Sequence, residues 1–389
     1  MGAPPDVLRG AKLPRNPGID ALRGLSILLV VLHHLALRIP PQDTALGAWV
    51  PRRVLFALGY TGYEAVFIFF VISGFLITTH SLARWGSLAA IDLRGFYVRR
   101  IARIAPTLLL LLLVLSLMHL AGVPNYVIDR PTQSLGGALL SALGLYLNWY
   151  EGQTGWLPGG WDVLWSLSVE EAFYVGFPLL CLVVRNRVLL TVLLAAFALS
   201  LPFTRVAIEG SEIWLEKAYL PAMSAIAAGV FTALVMHGRD LSVRSANALW
   251  GFGLFGIAAV LVFNGLLWRS MRDGVMLLLV VSAAALLSGL HARALHGKAR
   301  PVPGLGWLRS MGRLSYEIYL THMFVVFGLV ALWRMAGEDL RSGLWWYLPL
   351  VVLCWAAGQL VARFFSEPCD RALRRKWLPH APKVPATPN

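Results

Sequence analysis

Between residues 20 and 362 the chain returns eleven times to an apolar stretch of roughly span length, and that recurrence restricts the fold more than any single residue does. A helix rising 1.5 Å per residue needs about 20 apolar residues to cross a hydrocarbon layer about 30 Å thick. Only 14% of the 389 residues are charged and 58% are apolar, whereas a soluble domain carries about 25% charged residues. The expected fold class is therefore an all-α polytopic membrane protein with one membrane-embedded domain over 19–376. Residues 1–18, polar and containing Pro4, Pro5, Pro14 and Pro17, read as a cytoplasmic tail. The first apolar run holds an arginine and two histidines, so it is expected to be retained as a span rather than cleaved.

Basic residues set the topology, because short cytoplasmic loops are enriched in Lys and Arg. Segments 1–23, 80–103, 185–187, 237–244, 291–313 and 363–389 hold 24 of the 34 Lys and Arg and should be cytoplasmic. With 104–121 running outward and 166–184 inward, the stretch 135–148 between them cannot also cross. It is short, opens with Gly136-Gly137, and is expected to be re-entrant or interfacial on the outer side. The result is about ten transmembrane helices, both termini in the cytoplasm, in the plasma membrane. A net charge of +14 then reflects basic loops against an anionic leaflet, not nucleic-acid binding. The segment 377–389, with four prolines, reads as a disordered cytoplasmic tail. Cys181, Cys354 and Cys369 have neither disulfide nor metal-site spacing, and no metal is expected.

Ionisable groups inside spans are costly and point to function. Arg23 and His34 lie eleven residues apart on the first apolar helix, about 16 Å along its axis. His34 near the outer end of the first span and Glu170 near the outer end of the fifth fall at similar depth. A carboxylate beside an imidazole could fix its tautomer and raise its basicity for deprotonating a hydroxyl; alternatively His34 only bonds a neighbouring helix. Arg100 and Arg103, three apart, share a helix face. They suit bidentate phosphate binding, as in an acyl-CoA donor, or serve as topology anchors.

Five stretches together resemble the acyltransferase-3 family of integral membrane O-acyltransferases, which modify O-antigens, exopolysaccharides, peptidoglycan, nodulation signals and macrolides. They are Asp20-Ala-Leu-Arg23-Gly with His34; Phe69-Phe-Val-Ile-Ser73-Gly74-Phe75-Leu76; Arg100-Ile-Ala-Arg103 with Pro106; Trp165-Ser166-Leu-Ser168-Val-Glu170-Glu171-Ala-Phe173-Tyr174 with Pro178; and Leu314-Ser315-Tyr316-Glu-Ile-Tyr319-Leu-Thr-His322. The resemblance implies a ten-span fold, acyl-CoA (by default acetyl-CoA) docked near Arg23, Arg100 and Arg103, and acyl transfer by His34 with Glu170. Ser166, Ser168, Glu171, Tyr174 and His322 are candidate supporting groups. His33, Ala172 and Glu317 depart from the family pattern, and the last two are expected to tune the acceptor site.

The implied reaction moves an acyl group to a hydroxyl of a cell-surface glycan or lipid-linked sugar; a macrolide or similar small acceptor is the alternative, and a non-enzymatic transporter the rival class. The sequence shows no appended extracytoplasmic domain, so transfer is expected to be direct or completed by a separate extracytoplasmic transferase. Remaining expectations are structural. Ser73 and Gly74 allow close helix packing, Asp20 caps the first helix or pairs with Arg23, and Arg84, Arg94 and Arg99 anchor loops. The tryptophans at 149, 156, 161 and 165 form an interfacial belt.

Overall fold

In a computed structural model, residues 15–208 and 210–378 are described. The tail expected over 1–18 therefore lies outside the described residues up to position 14, and the tail over 377–389 does so beyond Leu378. Helices account for the regular structure, and no strand occurs among the described residues. In chain order they are α1 (Pro17–Ala36), α2 (Arg52–Gly59), α3 (Gly62–Trp85), α4 (Leu93–Leu120), α5 (Leu135–Leu143), α6 (Leu147–Thr154), α7 (Leu164–Val183), α8 (Arg187–Leu199), α9 (Leu201–Val206), α10 (Glu212–Lys217), α11 (Tyr219–Met236), α12 (Val243–Met271), α13 (Gly274–Leu295), α14 (Gly306–Arg313), α15 (Ser315–Met335), α16 (Tyr347–Val361) and α17 (Glu367–Trp377).

Nine helical stretches among the described residues are long and apolar enough to cross a membrane. The tenth expected span, 188–204, is divided into α8 and α9 with only Ser200 between them. Ser200 stays in the right-handed helical region (φ −72°, ψ −5°), so the path continues past a short break where Pro202 lacks an N–H to offer the ladder. The stretch 135–148 does not span: α5 has nine residues and α6 eight, about 13 Å and 12 Å of helix. Outward-facing Leu109, Leu113 and Leu117 on α4 and Phe252 and Phe255 on α12 present the apolar surface a bilayer requires.

Three local expectations are corrected. Asn16, not Asp20, caps α1, accepting from the N–H groups of Gly18 (3.0 Å) and Ile19 (3.4 Å), and Asp20 faces Arg15 at 3.7 Å instead of bonding Arg23. Helix α4 starts eleven residues before its apolar stretch because Asp92 caps it by accepting from Gly95 N–H at 2.9 Å. Arg94 and Arg99 thus ride on a helix, as does Arg84 in the last turn of α3. Finally, Trp161 is fully buried and Trp165 nearly so, with Trp161 donating to the Tyr126 carbonyl at 3.0 Å. These two are core residues, not members of a belt.

Two glycine contacts fix how the helices meet. A Cβ on Gly24 would lie 2.0 Å from the Leu308 carbonyl oxygen, and one on Gly312 would lie 1.8 Å from that of Asp20. The α1 and α14 backbones can touch only because neither residue has a side chain. Gly74 and Gly229 do the same for α3 and α11, each 2.0 Å from the facing carbonyl of Ile226 or Val71. The start of α1, the start of α4, α14 and α17 consequently gather at one end of the molecule. The end of α1 and the starts of α3, α7 and α11 gather at the other.

Candidate active site

A cavity of about 920 Å³ opens at the first of these ends, near the top of the usual range for small-molecule sites. Its walls carry seven arginines, among them Arg23, Arg100 and Arg103, against the four carboxylates of Glu170, Glu171, Glu367 and Asp370. The three arginines expected at a donor site share this wall, but their environments differ. Arg23 donates to the Ser315 hydroxyl from Nε (3.3 Å) and Nη2 (2.8 Å). Arg100 lies over the Tyr174 ring at 4.6 Å, a cation–π distance, and has no carboxylate partner among the described residues. Arg103 is already paired: Nη1 reaches Glu317 Oε1 at 2.7 Å and Nη2 reaches Oε2 at 3.2 Å. The fully buried Glu317 is further held by the Ser366 hydroxyl at 2.7 Å, which a π-helical turn over Ala362–Ser366 delivers between α16 and α17. Glu317 was expected to tune an acceptor site; the structure instead assigns it to Arg103.

Glu170 is also differently placed. One of its carboxylate oxygens accepts from both the Ser73 hydroxyl and the Tyr174 hydroxyl, and Ser73 and Tyr174 are themselves 2.7 Å apart. No hydrogen bond joins it to His34, so the expected pairing of His34 with Glu170 is not formed. Ser73, expected to serve helix packing before any chemical role, belongs to this cavity network, while its neighbour Gly74 does make the close helix contact. Glu171 lines the same wall with Oε1 buried and without a hydrogen-bond partner among the described residues. Ser168 is turned away: its hydroxyl donates to the Leu164 carbonyl within its own helix at 3.2 Å and it does not line the cavity.

The inner end of the cavity is marked by Ser166 and Tyr319, whose hydroxyls are 2.6 Å apart. One turn further along α15 stands His322, fully buried, with its ring centroid 5.7 Å from that of Tyr319 and 5.1 Å from that of His34. His322 Nδ1 is 2.8 Å from the Tyr319 carbonyl oxygen. That oxygen can only accept, so Nδ1 carries the proton and Nε2 keeps a lone pair. Nε2 is buried and has no partner among the described residues. The adjacent His33 points elsewhere. A Cβ on Gly62 would lie 2.6 Å from its ring, so His33 packs closely against the start of α3. His34 therefore has an imidazole for a neighbour, not the glutamate that its depth suggested.

The carboxylate within electrostatic reach of both His33 and His34 is Asp162. It belongs to a buried ion cluster that sequence reading missed. Lys217 Nζ lies 2.7 Å from Asp162 Oδ1 and 2.9 Å from Glu151 Oε2, and the Trp156 ring covers the ammonium at 4.4 Å. The signal was present: Lys217 lies outside every basic-rich cytoplasmic segment, so its charge needed another reason. Asn148 fastens the same strut by donating to the Lys217 carbonyl at 2.6 Å. These contacts pin α6 and the start of α7 onto α10, and so fix the approach to the histidines.

An all-helical membrane protein with an arginine-lined cavity leading toward an imidazole pair matches the architecture implied by the sequence motifs, and comparison with known proteins assigns the family. The family model described as an acyltransferase domain matches residues 16–363, so the chain belongs to the acyltransferase-3 family. It is 23% identical over 388 residues to the peptidoglycan O-acetyltransferase OatA of Listeria monocytogenes, covering 90% of this chain and 55% of that protein. It is 26% identical over 390 residues to the protein of Bacillus subtilis named "Putative peptidoglycan O-acetyltransferase YrhL", covering 90% and 54%. The chain thus spans about half the length of these relatives. No solved structure matches it.

Proposed function

We propose that the chain is an acyl-CoA-dependent O-acyltransferase that moves an acyl group, acetyl by default, to a hydroxyl of a cell-surface or cell-wall glycan. One observation carries this reading: a cavity lined by guanidinium groups also takes in the Ser166–Tyr319 hydroxyl pair, beside which stand His322 and His34. Guanidinium forks suit the donor's phosphates, and Arg23 and Arg100 are the inner pair free for them. Arg103, held by Glu317, supports the wall. The thioester carbonyl would meet the Ser166 and Tyr319 hydroxyls, donors suited to a developing oxyanion. The acceptor comes from the opposite end. Its hydroxyl proton passes to His34 as oxygen attacks the carbonyl carbon; the carbon–sulfur bond then breaks and the thiolate leaves on the donor side. The His322 ring, 5.1 Å from that of His34 between centroids, keeps an unpartnered Nε2 lone pair, which would orient the His34 imidazole by accepting its N–H once the substrates are bound.

The relatives' names favour an O-acetyl group and a peptidoglycan-like acceptor. Sidedness follows the basic loops: plasma membrane, both termini and the donor cavity facing the cytoplasm. Transfer is direct or is completed by an extracytoplasmic transferase. The test is membrane vesicles containing the chain, supplied with labelled acetyl-CoA and glycan strands. Wild type should label the glycan and His34→Ala should lose that labelling by at least about a hundredfold, in keeping with loss of a general base. His33→Ala should retain most activity. A dead His33 variant beside an active His34 variant would reverse the assignment, and no labelling from acetyl-CoA by wild type would remove the donor.

A further inference from the structure

The arginines around the cavity sort into paired and unpaired cations, and the unpaired ones sort again by depth. Arg103 is bound to Glu317, Arg374 to Asp370 at 2.7 Å, and Arg15 faces Asp20. Among the described residues Arg23, Arg100, Arg313 and Arg371 have no carboxylate within ion-pair distance. Arg23 and Arg100 are half-buried in the interior, whereas Arg313 and Arg371 are exposed at the mouth. Arg313 ends α14, and Arg371 projects from α17, where its Nε donates to the Glu367 carbonyl at 3.3 Å. Glu367 stands one helical turn before Arg371, yet its carboxylate does not take that charge.

Two separate pairs of free guanidiniums, one deep and one at the rim, suit a ligand with two separate phosphate centres better than a ligand with one. Coenzyme A has that form: a pyrophosphate next to the pantetheine arm and a phosphomonoester on the 3′ position of the ribose at the far end. We propose that Arg313 and Arg371 form a distinct phosphomonoester subsite that takes the ribose 3′-phosphate, while Arg23 and Arg100 take the pyrophosphate. This rests on the acyl-CoA reading of the cavity and extends it to α14 and α17, which carry none of the five sequence stretches that mark the family. The helix α17 thereby becomes part of the donor site, and the π-helical turn that precedes it is what aims its basic face at the cavity.

The experiment is equilibrium titration of the full chain in detergent with coenzyme A and with 3′-dephospho-coenzyme A. Wild type should bind coenzyme A about tenfold more tightly or better, the scale of one charged hydrogen bond. In the variant Arg313→Gln/Arg371→Gln, coenzyme A should fall to the affinity of the dephospho form, whose own affinity should stay unchanged. A control variant, Arg239→Gln/Arg244→Gln, removes equal charge from the α11–α12 connection and the first turn of α12, away from the cavity, and should keep the wild-type ratio. Both rim residues are exposed, so the variants should insert normally. If wild type binds both ligands equally, or if the rim variant keeps the wild-type ratio, the subsite is refuted while the donor reading survives. The subsite is refuted equally if the control variant loses the ratio as fully as the rim variant. If neither ligand binds wild type, the donor reading itself fails and the subsite with it.

Discussion

Arg103 and Glu317 show how a residue can be identified correctly and its partner missed. The arginine spacing on one helix face was legible, because residues three apart are neighbours on any helix. That Arg103 faces a buried carboxylate depends on how α4, α15 and the turn at Ala362–Ser366 converge, which no local pattern encodes. The pairing yields a prediction. Arg103→Gln should destabilise the detergent-solubilised protein because it strands Glu317; the penalty for breaking a buried pair is about 3–5 kcal/mol, and a smaller loss is expected here since the Arg103 side chain is 30% exposed. Adding Glu317→Gln should restore most of the thermal stability, since no uncompensated charge is then left. A single variant as stable as wild type, or a double variant no better than the single, would show that the pair is not a structural unit. The same logic explains Glu170. Counting residues from the span ends placed it level with His34, but its carboxylate meets Ser73, which lies eleven residues along α3 from the Gly62 that packs on His33, about 16 Å of helix, so Glu170 stands toward the arginine end instead.

At the scale of the helices, apolar run length and basic loops foretold most of the architecture, because both follow from the bilayer itself. The non-spanning character of 135–148 came from parity together with its shortness and its opening Gly136-Gly137, and α5 and α6 are indeed too short to cross. Cap positions were less legible: Asn16 and Asp92 set where α1 and α4 begin, and Asp92 carries α4 well below its apolar stretch. Equally hidden was the way α6 is held, since Glu151, Asp162 and Lys217 are separated by up to 66 residues. Position Gln153, exposed at the end of α6, offers a direct check on sidedness. In a cysteine-free background, Gln153→Cys should react with a membrane-impermeant maleimide added outside intact cells. Labelling only after permeabilisation would put α6 in the cytoplasm and invert the proposed orientation of the donor cavity. Gly159, the other natural choice in this loop, is unsuitable because a Cβ there would lie 2.9 Å from the Phe327 ring.

Across the whole molecule the two kinds of chemistry are segregated. Cations cluster at the end where α1 begins, and the imidazoles with the Asp162–Lys217–Glu151 cluster lie where α1 ends, with the Ser166–Tyr319 pair between them. A soluble transferase has no need to separate donor and acceptor in this way, whereas a membrane enzyme fed from one side and serving the other does. The arrangement predicts a vectorial reaction. In sealed inside-out vesicles, acetyl-CoA added to the bath should be consumed and glycan enclosed in the lumen should be acetylated. In sealed right-side-out vesicles the same external donor should give no product until the membrane is permeabilised. Because the mouth carries excess positive charge at partly solvated positions, the apparent affinity for the donor should also weaken as salt rises from about 0.01 M to 0.15 M, over which the Debye length falls from about 30 Å to about 8 Å. Equal product from both vesicle orientations would mean that donor and acceptor enter from one side, and the cavity mouth and the histidine end would then have to be read as a single compartment.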